Sequence, residues 1–431
     1  MSEGRESTAR RSLVVAPVAA VQLVLATIAA SQPVVALGLI GGLTLVVMAL
    51  VAPLLVLIGV FPATFAYWRV GPGSVDMSVT DAMTILGILA ALPFVPWRSR
   101  SLRRILAATA GYAAILLVTV VAHPAQRSLV EVFHQVSLVA GAMLIGAAIS
   151  RLGQARLALR ALVISCAVVS AAAAADTLAH RLRPAYPFGI QKNGAGELIV
   201  MGLVVLLAAS RRLGWGPWMI RLLSVTLLVG LIASESRGAA LALVVVFALH
   251  LLRQRRAGGA TRLMRLAPLL LVVSLILIAI SVATYSSREL NPGTEKFNSV
   301  NTRLDTYSYA IEKKWVPNLV FGAGLKWFFA PDSVFGVPHN LVIDELSEAG
   351  LIGLLGMTML LWVVLRSMRR STSDLSEVGN LAVVARLLEA VVGVFWVAGP
   401  GTLPFLIVGL VVGDEDLPVT DRPTRVAAFA G

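Results

Sequence analysis

The sequence predicts an all-α, polytopic integral membrane protein of about 12–14 transmembrane helices, with one long extracytoplasmic loop containing short helices. Three observations carry this reading. Of the 431 residues, 58% are hydrophobic and only 14% charged, and mean hydropathy is +0.85, whereas about a quarter of a soluble domain is charged. Apolar runs of roughly 15–25 residues, the length of a helical span, recur along the chain. The period-two alternation of a membrane barrel is absent.

In chain order, the expected spans are Leu13–Ala30, Val34–Leu50, Pro53–Tyr67, Val79–Pro96, Ile105–Ala122, Leu129–Ser150, Arg160–Ala179, Gly194–Ser210, Met219–Ser234, Gly238–Leu252, Arg265–Tyr285, Leu341–Arg366, Ala382–Ala398 and Pro400–Val412. The first run lacks a cleavage site and is expected to stay in the protein. The second and third spans are short and broken by Pro53 and Pro62. The last two are weak and hinge at Gly399-Pro400-Gly401. This divides the chain into an N-terminal helix bundle (1–284), a large extracytoplasmic loop (285–340), C-terminal spans (341–413) and a cytoplasmic tail (414–431).

The charge of +13 does not indicate nucleic acid, because the basic residues are scattered over short loops rather than gathered in a groove. Those segments that lie inside when both termini are cytoplasmic hold most of the Lys and Arg, which sets the orientation. Cys166, the single cysteine, lies within an expected span, so neither an internal disulfide nor a CxxC site is possible. No metal site and no cofactor are expected.

The 286–340 connection is far longer than an ordinary loop and is rich in aromatics, so a functional segment is expected. Thr302-Arg-Leu-Asp305 reads as a capping box. Leu304, Tyr307, Ile311 and Trp315 then recur at helical spacing, as in an amphipathic helix lying on the outer membrane surface.

Four polar clusters fall on the outer side: Gln191-Lys192-Asn193, Ser234-Glu235-Ser236-Arg237, Arg303, and His339-Asn340. Three of them open helices that run inward, where unpaired N–H groups and the helix dipole attract anions. Arg237 and Arg303 offer guanidinium forks and Lys192 a point charge, a combination suited to a diphosphate. Each has a plainer reading. Arg237 and Lys192 snorkel, Asn193, Ser236 and Asn340 are good N-caps, and Glu345 and Glu348 orient His339 or face headgroups. His123, His134, His180 and His250 receive no role, and Asp414-Glu-Asp416 reads as a solvated end.

Pro338–Gly353, PHNLVIDELSEAGLIG, resembles the C-terminal signature of the O-antigen ligase and polymerase superfamily. In that signature a His-Asn pair opens the helix after the large outer loop and an E-x-G-x-x-G pattern follows. Ser234–Ala239, SESRGA, is similar to the family's S-x-S-R-G-A element. Arg303, Tyr307, Ala310, Pro317 and Gly322-Ala-Gly324 resemble its arginine, aromatic, alanine, proline and G-x-G stretch, and Lys192-Asn193 its N-K-N element. The elements occur in family order from Phe188 to Gly353. Tyr307 stands where tryptophan is commoner, and fourteen spans exceed the family's dozen or so.

The resemblance implies a GT-C-like, metal-independent glycosyltransferase of the bacterial cytoplasmic (inner) membrane. Its donor is a glycan on undecaprenyl diphosphate, and its acceptor is another glycan or a glycolipid, among membrane lipids and without nucleic acid. It further implies that Arg237 and Arg303 hold the diphosphate while His339 orients or deprotonates the acceptor hydroxyl. Lys192, Asn193, Ser236, Asn340 and Glu348 line the substrate in this reading, and Trp315, Trp327 and Phe328 stack on sugars. A transporter or flippase of an envelope glycan precursor is the alternative, with Asp176 and Glu197 as its deepest charges. A structural partner of an envelope assembly is a third.

Overall fold

The computed structural model describes residues 42–44, 46–66, 69–70, 77–180, 185–256, 299–329 and 336–415. Residues 1–56 and 57–431 form two separate units. In the first, the described residues are helical over Gly42–Val51. The expected spans Leu13–Ala30 and Arg265–Tyr285, and part of Val34–Leu50, lie outside the described residues.

The protein is all-α and polytopic. Its helices are α1 (Pro53–Ala63), α2 (Val79–Ala91), α3 (Arg100–Ala122), α4 (Gln126–Arg151), α5 (Ala155–Ala179), α6 (Lys192–Leu213), α7 (Pro217–Ser234), α8 (Arg237–Arg256), α9 (Ser299–Tyr309), α10 (Leu341–Arg370), α11 (Ser376–Ala390) and α12 (Thr402–Glu415). A two-residue antiparallel pairing, Arg69–Val70 with Met77–Ser78, precedes α2. Seven of these helices, α3 to α8 and α10, are long and apolar enough to cross a membrane.

The bundle is built around α12, which is buried from Thr402 to Asp414. A helix apolar on every side belongs inside a bundle. At 14 residues it is about 21 Å long, too short to cross a bilayer unaided but free of that requirement once enclosed. Glycines set its closest approach. A Cβ at Gly146 of α4 would lie 2.8 Å from the Leu410 nitrogen, and one at Gly409 would lie 2.9 Å from the Ala147 nitrogen. Small residues let helix backbones touch in this way.

Several expectations give way to the structure. The apolar run Ala382–Ala398 is not one span. Helix α11 ends at Ala390, and residues 391–401 form turns, exposed at Val391 and Val392 and buried or half-buried from Gly393 on, in which Gly399 adopts a positive φ. Helix α10 is broken at Gly350, although its apolar pattern runs through the break. Thr302 is not a cap, because α9 starts at Ser299. The face α9 buries carries Thr306 and Ala310, while Leu304 is exposed. Asp414 is not solvated: it is buried, accepts a hydrogen bond from Ser373 Oγ and lies 3.8 Å from Arg212.

Candidate functional site

The break in α10 decides how the loop reaches the bundle. Gly350 has φ 67° and ψ −162°, a region essentially restricted to glycine. The backbone groups released there pair with the loop segment 319–324. Ala323 and Gly324 donate to the carbonyls of Ser347 and Glu348 at 2.8 and 3.0 Å, and the amides of Leu351 and Ile352 donate to Leu319 and Val320 at 3.0 and 3.3 Å. Irregular backbone within a membrane protein needs this kind of internal satisfaction. It leaves residues 341–349 as a half-helix, capped by Asn340 Oδ1, which accepts from the amides of Val342 and Ile343.

Three helix N-termini and the loop helix meet around the turn after α11. Asn340 Nδ2 donates to the Val391 carbonyl at 3.0 Å, and Arg303 of α9 donates to the Val392 carbonyl at 3.3 Å. A Cβ at Gly238, the second residue of α8, would press on the Val392 side chain, and one at Gly393 would lie 3.0 Å from Glu197 of α6. Ser236, buried at the start of α8, packs on Gly196 of α6, where a Cβ would lie 2.5 Å from its own. His339 is tied in through its carbonyl, which accepts from Tyr307 Oη at 2.9 Å. Burial first, and the charge of Arg303 second, hold the His339 imidazole below its ordinary pKa, so it is neutral near pH 7.

The predicted site residues therefore fall into groups. Arg303, His339, Asn340 and Ser236 gather near the 391–393 turn, and the exposed Arg237 opens α8 beside it. Lys192 and Asn193 occupy the first turn of α6, half-buried, one turn before Glu197. The N-cap there is Gln191 rather than Asn193. Glu348 is 1% exposed, and its Oε1 accepts the Lys326 amide at 3.0 Å. Glu345 is likewise buried and accepts from Tyr112 and Trp396, so neither acid orients His339.

Two buried assemblies escaped the sequence reading. Arg386 donates to Glu197 at 2.8 Å and to the carbonyls of Phe395 (2.6 Å) and Val394, with Glu389 3.7 Å away. One guanidinium thus fixes the turns whose carbonyls hold Asn340 and Arg303. The second assembly anchors the loop: Lys326 reaches Glu131 at 3.3 Å, and His134 stands between Glu131 and Asp81 at 3.3 and 3.4 Å. Burial alone would lower the pKa of the Lys326 ammonium, but the carboxylates of Glu131, Glu348 and Asp344 outweigh it and hold it above its ordinary value. The signal for both was present in principle, since ionisable residues inside apolar runs come in partners.

Residues 222–358 match the family model for O-antigen ligase. This stretch, about a third of the chain, is similar to the O-antigen ligase family. No curated protein matches the chain significantly. The matched stretch includes Arg237, Arg303 and His339 together with both sides of the Gly350 break, while Lys192, Asn193 and Arg386 lie outside it.

Proposed function

We propose that the chain is a glycosyltransferase of the bacterial cytoplasmic membrane. It moves a glycan from undecaprenyl diphosphate to an acceptor sugar hydroxyl at the outer face, as a polysaccharide polymerase or an O-antigen ligase. The match of residues 222–358 to the O-antigen ligase family supports a glycan ligase or polymerase role. The observation that carries the finer reading is the neutral His339 beside Arg303, where the N-termini of α6, α8 and α10 gather.

The reaction follows from these groups. The acceptor hydroxyl oxygen attacks the anomeric carbon, and the bond from that carbon to the diphosphate oxygen breaks. The hydroxyl proton passes to the His339 imidazole, which burial and Arg303 keep available as a base. The bonding electrons leave with undecaprenyl diphosphate. Arg303, Arg237 and the helix N–H groups meet the charge developing on it. Asn340 holds the start of α10 against the 391–392 carbonyls, and Lys192 and Asn193 extend the polar side of the cradle.

Transport is the weaker reading. Its deepest candidate, Glu197, is matched by Arg386 at 2.8 Å, as a structural charge pair would be. Glycan analysis of a deletion strain tests the proposal. A polymerase leaves single repeats without long chains, whereas a ligase leaves whole polymer on the lipid carrier. Loss of all surface glycan, single repeats included, with precursor trapped on the inner leaflet would replace the proposal with transport.

A further inference from the structure

A polar cleft lies between the α3–α4 turn and the loop. Its volume is about 290 Å³, and its walls include His123, Arg127, Ser128, Gly324, Leu325 and Trp327. This is near the small end of ligand pockets, about 300–1,000 Å³. The walls are fixed. Ser128 Oγ donates to the Leu325 carbonyl at 3.1 Å, Gly324 donates to Glu348, and the Trp327 indole donates to Ser347 Oγ at 3.0 Å. Gly324, at φ 98°, lies so close to the turn that a Cβ would stand 3.0 Å from the His123 Cβ.

The charge of this cleft is one-sided. No acidic residue lines it. Arg127 Nε is buried without a hydrogen-bond partner among the described residues. The Arg386 Nε is likewise unmet, but the guanidiniums of Arg212 and Arg386 have carboxylate partners, and Arg253 has an amide oxygen. A buried donor left unmet is costly, and a guanidinium fork matches a planar carboxylate or a phosphate. The indole of Trp327 lines the same cleft as the Arg127 cation and the His123 imidazole, a combination of aromatic and polar groups suited to a sugar ring.

We propose that the His123–Arg127 cleft binds an acidic sugar unit of the glycan, one bearing a carboxylate or phosphate, with Arg127 on the anion and His123 on a ring hydroxyl. The proposal rests on the glycan-transfer reading for its choice of ligand. It adds a subsite linked to His339 through the loop: Trp327 packs on Tyr309, two residues beyond the Tyr307 that holds the His339 carbonyl.

The test uses the full-length protein in phosphatidylcholine nanodiscs, with methyl glucuronide and methyl glucoside as probes, read by saturation-transfer NMR. The glucuronide should bind more tightly than the glucoside and lose about tenfold or more in affinity in Arg127→Gln. Arg127→Lys should recover part of that loss, and His123→Gln should weaken both sugars. Unfolding temperatures check that each variant is intact. Equal binding of the two sugars, or no effect of Arg127→Gln in folded protein, overturns the proposal. So does glucuronide binding that disappears in phosphatidylglycerol nanodiscs, which would assign the cleft to lipid headgroups. Arg303→Ala should leave glucuronide binding intact. Arg127-dependent binding in a protein whose deletion leaves glycan unchanged would uphold the cleft and remove only the transferase reading.

Discussion

Gly322 and Gly350 interlock. A Cβ on Gly350 would lie 2.6 Å from the Gly322 nitrogen, a Cβ on Gly322 would fall on the Glu348 carbonyl, and both residues have φ near +67°. The two glycine motifs of the sequence, one in the loop and one in the following helix, are thus two halves of a single backbone joint. It swings residues 341–349 out of line with the rest of α10 and holds His339 and Asn340 at the rim of the bundle.

The first prediction follows from that joint. Gly350→Ala forces a side chain into a conformation that costs about 1–3 kcal/mol and adds a collision with the loop backbone. Unfolding in detergent should occur at a clearly lower temperature, with less protein in the membrane. Gly322→Ala should act in the same way. Gly153→Ala, also at positive φ but with open space around it, should show only the conformational part. Equal loss in all three would mean that the joint adds nothing beyond backbone strain.

Chemistry at the rim is tested by substitution. Arg303→Ala should lower the transfer rate by about 10²–10³-fold, the usual effect of removing one charge-stabilising donor. Arg303→Lys should remain poor, because a point charge does not replace the fork. His339→Ala should fall by about 10²–10⁴-fold, as for a general base. Each protein should reach the membrane in normal amount. Wild-type glycan from all of them would end the assignment of these roles.

The pH profile gives an independent check on the same pair. The His339 imidazole titrates below its ordinary 6.5, held down by burial and by Arg303. A neutral base works above its pKa, so activity should be flat through pH 7 and fall only as pH drops through a value under 6.5. Arg303→Gln removes one of the two depressing influences, and its acid limb should move upward toward the ordinary value. An unmoved limb in the residual activity of Arg303→Gln would separate the two residues.

How much of this was legible in the sequence depends on the distance over which each feature is specified. Apolar runs are local, and seven of the fourteen expected spans, Ile105–Ala122 through Gly238–Leu252 together with Leu341–Arg366, correspond to long apolar helices. Arg303, His339 and Asn340 were visible because polar side chains at the mouths of apolar helices stand out. The Gly350 break was not, since the hydrophobic pattern continues across it and only the loop 30 residues earlier supplies the bonds that make it tolerable. His134 was passed over for the same reason. Its partners Asp81 and Glu131, and the Lys326 that neutralises Glu131, come from three separate segments. The 391–401 turns were masked by an apolar composition that reads as a span until Arg386 is seen holding their carbonyls.

Arg386 gives the prediction that separates positioning from chemistry. Arg386→Met leaves Glu197 buried and unpaired, which should destabilise the protein by about 3–5 kcal/mol. Arg386→Met with Glu197→Leu removes the 2.8 Å pair, though not Glu389, and should regain part of that stability. It does not regain the donors that bind the carbonyls of Val394 and Phe395. Transfer by the double variant should therefore stay impaired in folded protein, with the donor KM raised, because the turn that seats Arg303 and Asn340 is loose. Full activity in the stable double variant would show that the turn needs no such tether.

Orientation is open to a direct chemical test. Cys166, the single cysteine of the chain, is fully buried in α5, so a new surface thiol can be read against a nearly silent background. Arg303→Cys places that thiol on the loop helix, at a half-exposed position. If the loop faces outward, as the distribution of Lys and Arg predicts, an impermeant maleimide should label it in intact cells, and Gly153→Cys, in the α4–α5 turn at the other end of α4, should label only after lysis. The reverse pattern would invert the topology. It would place Arg303 and His339 in the cytoplasm, on the wrong side for a glycan displayed at the outer leaflet.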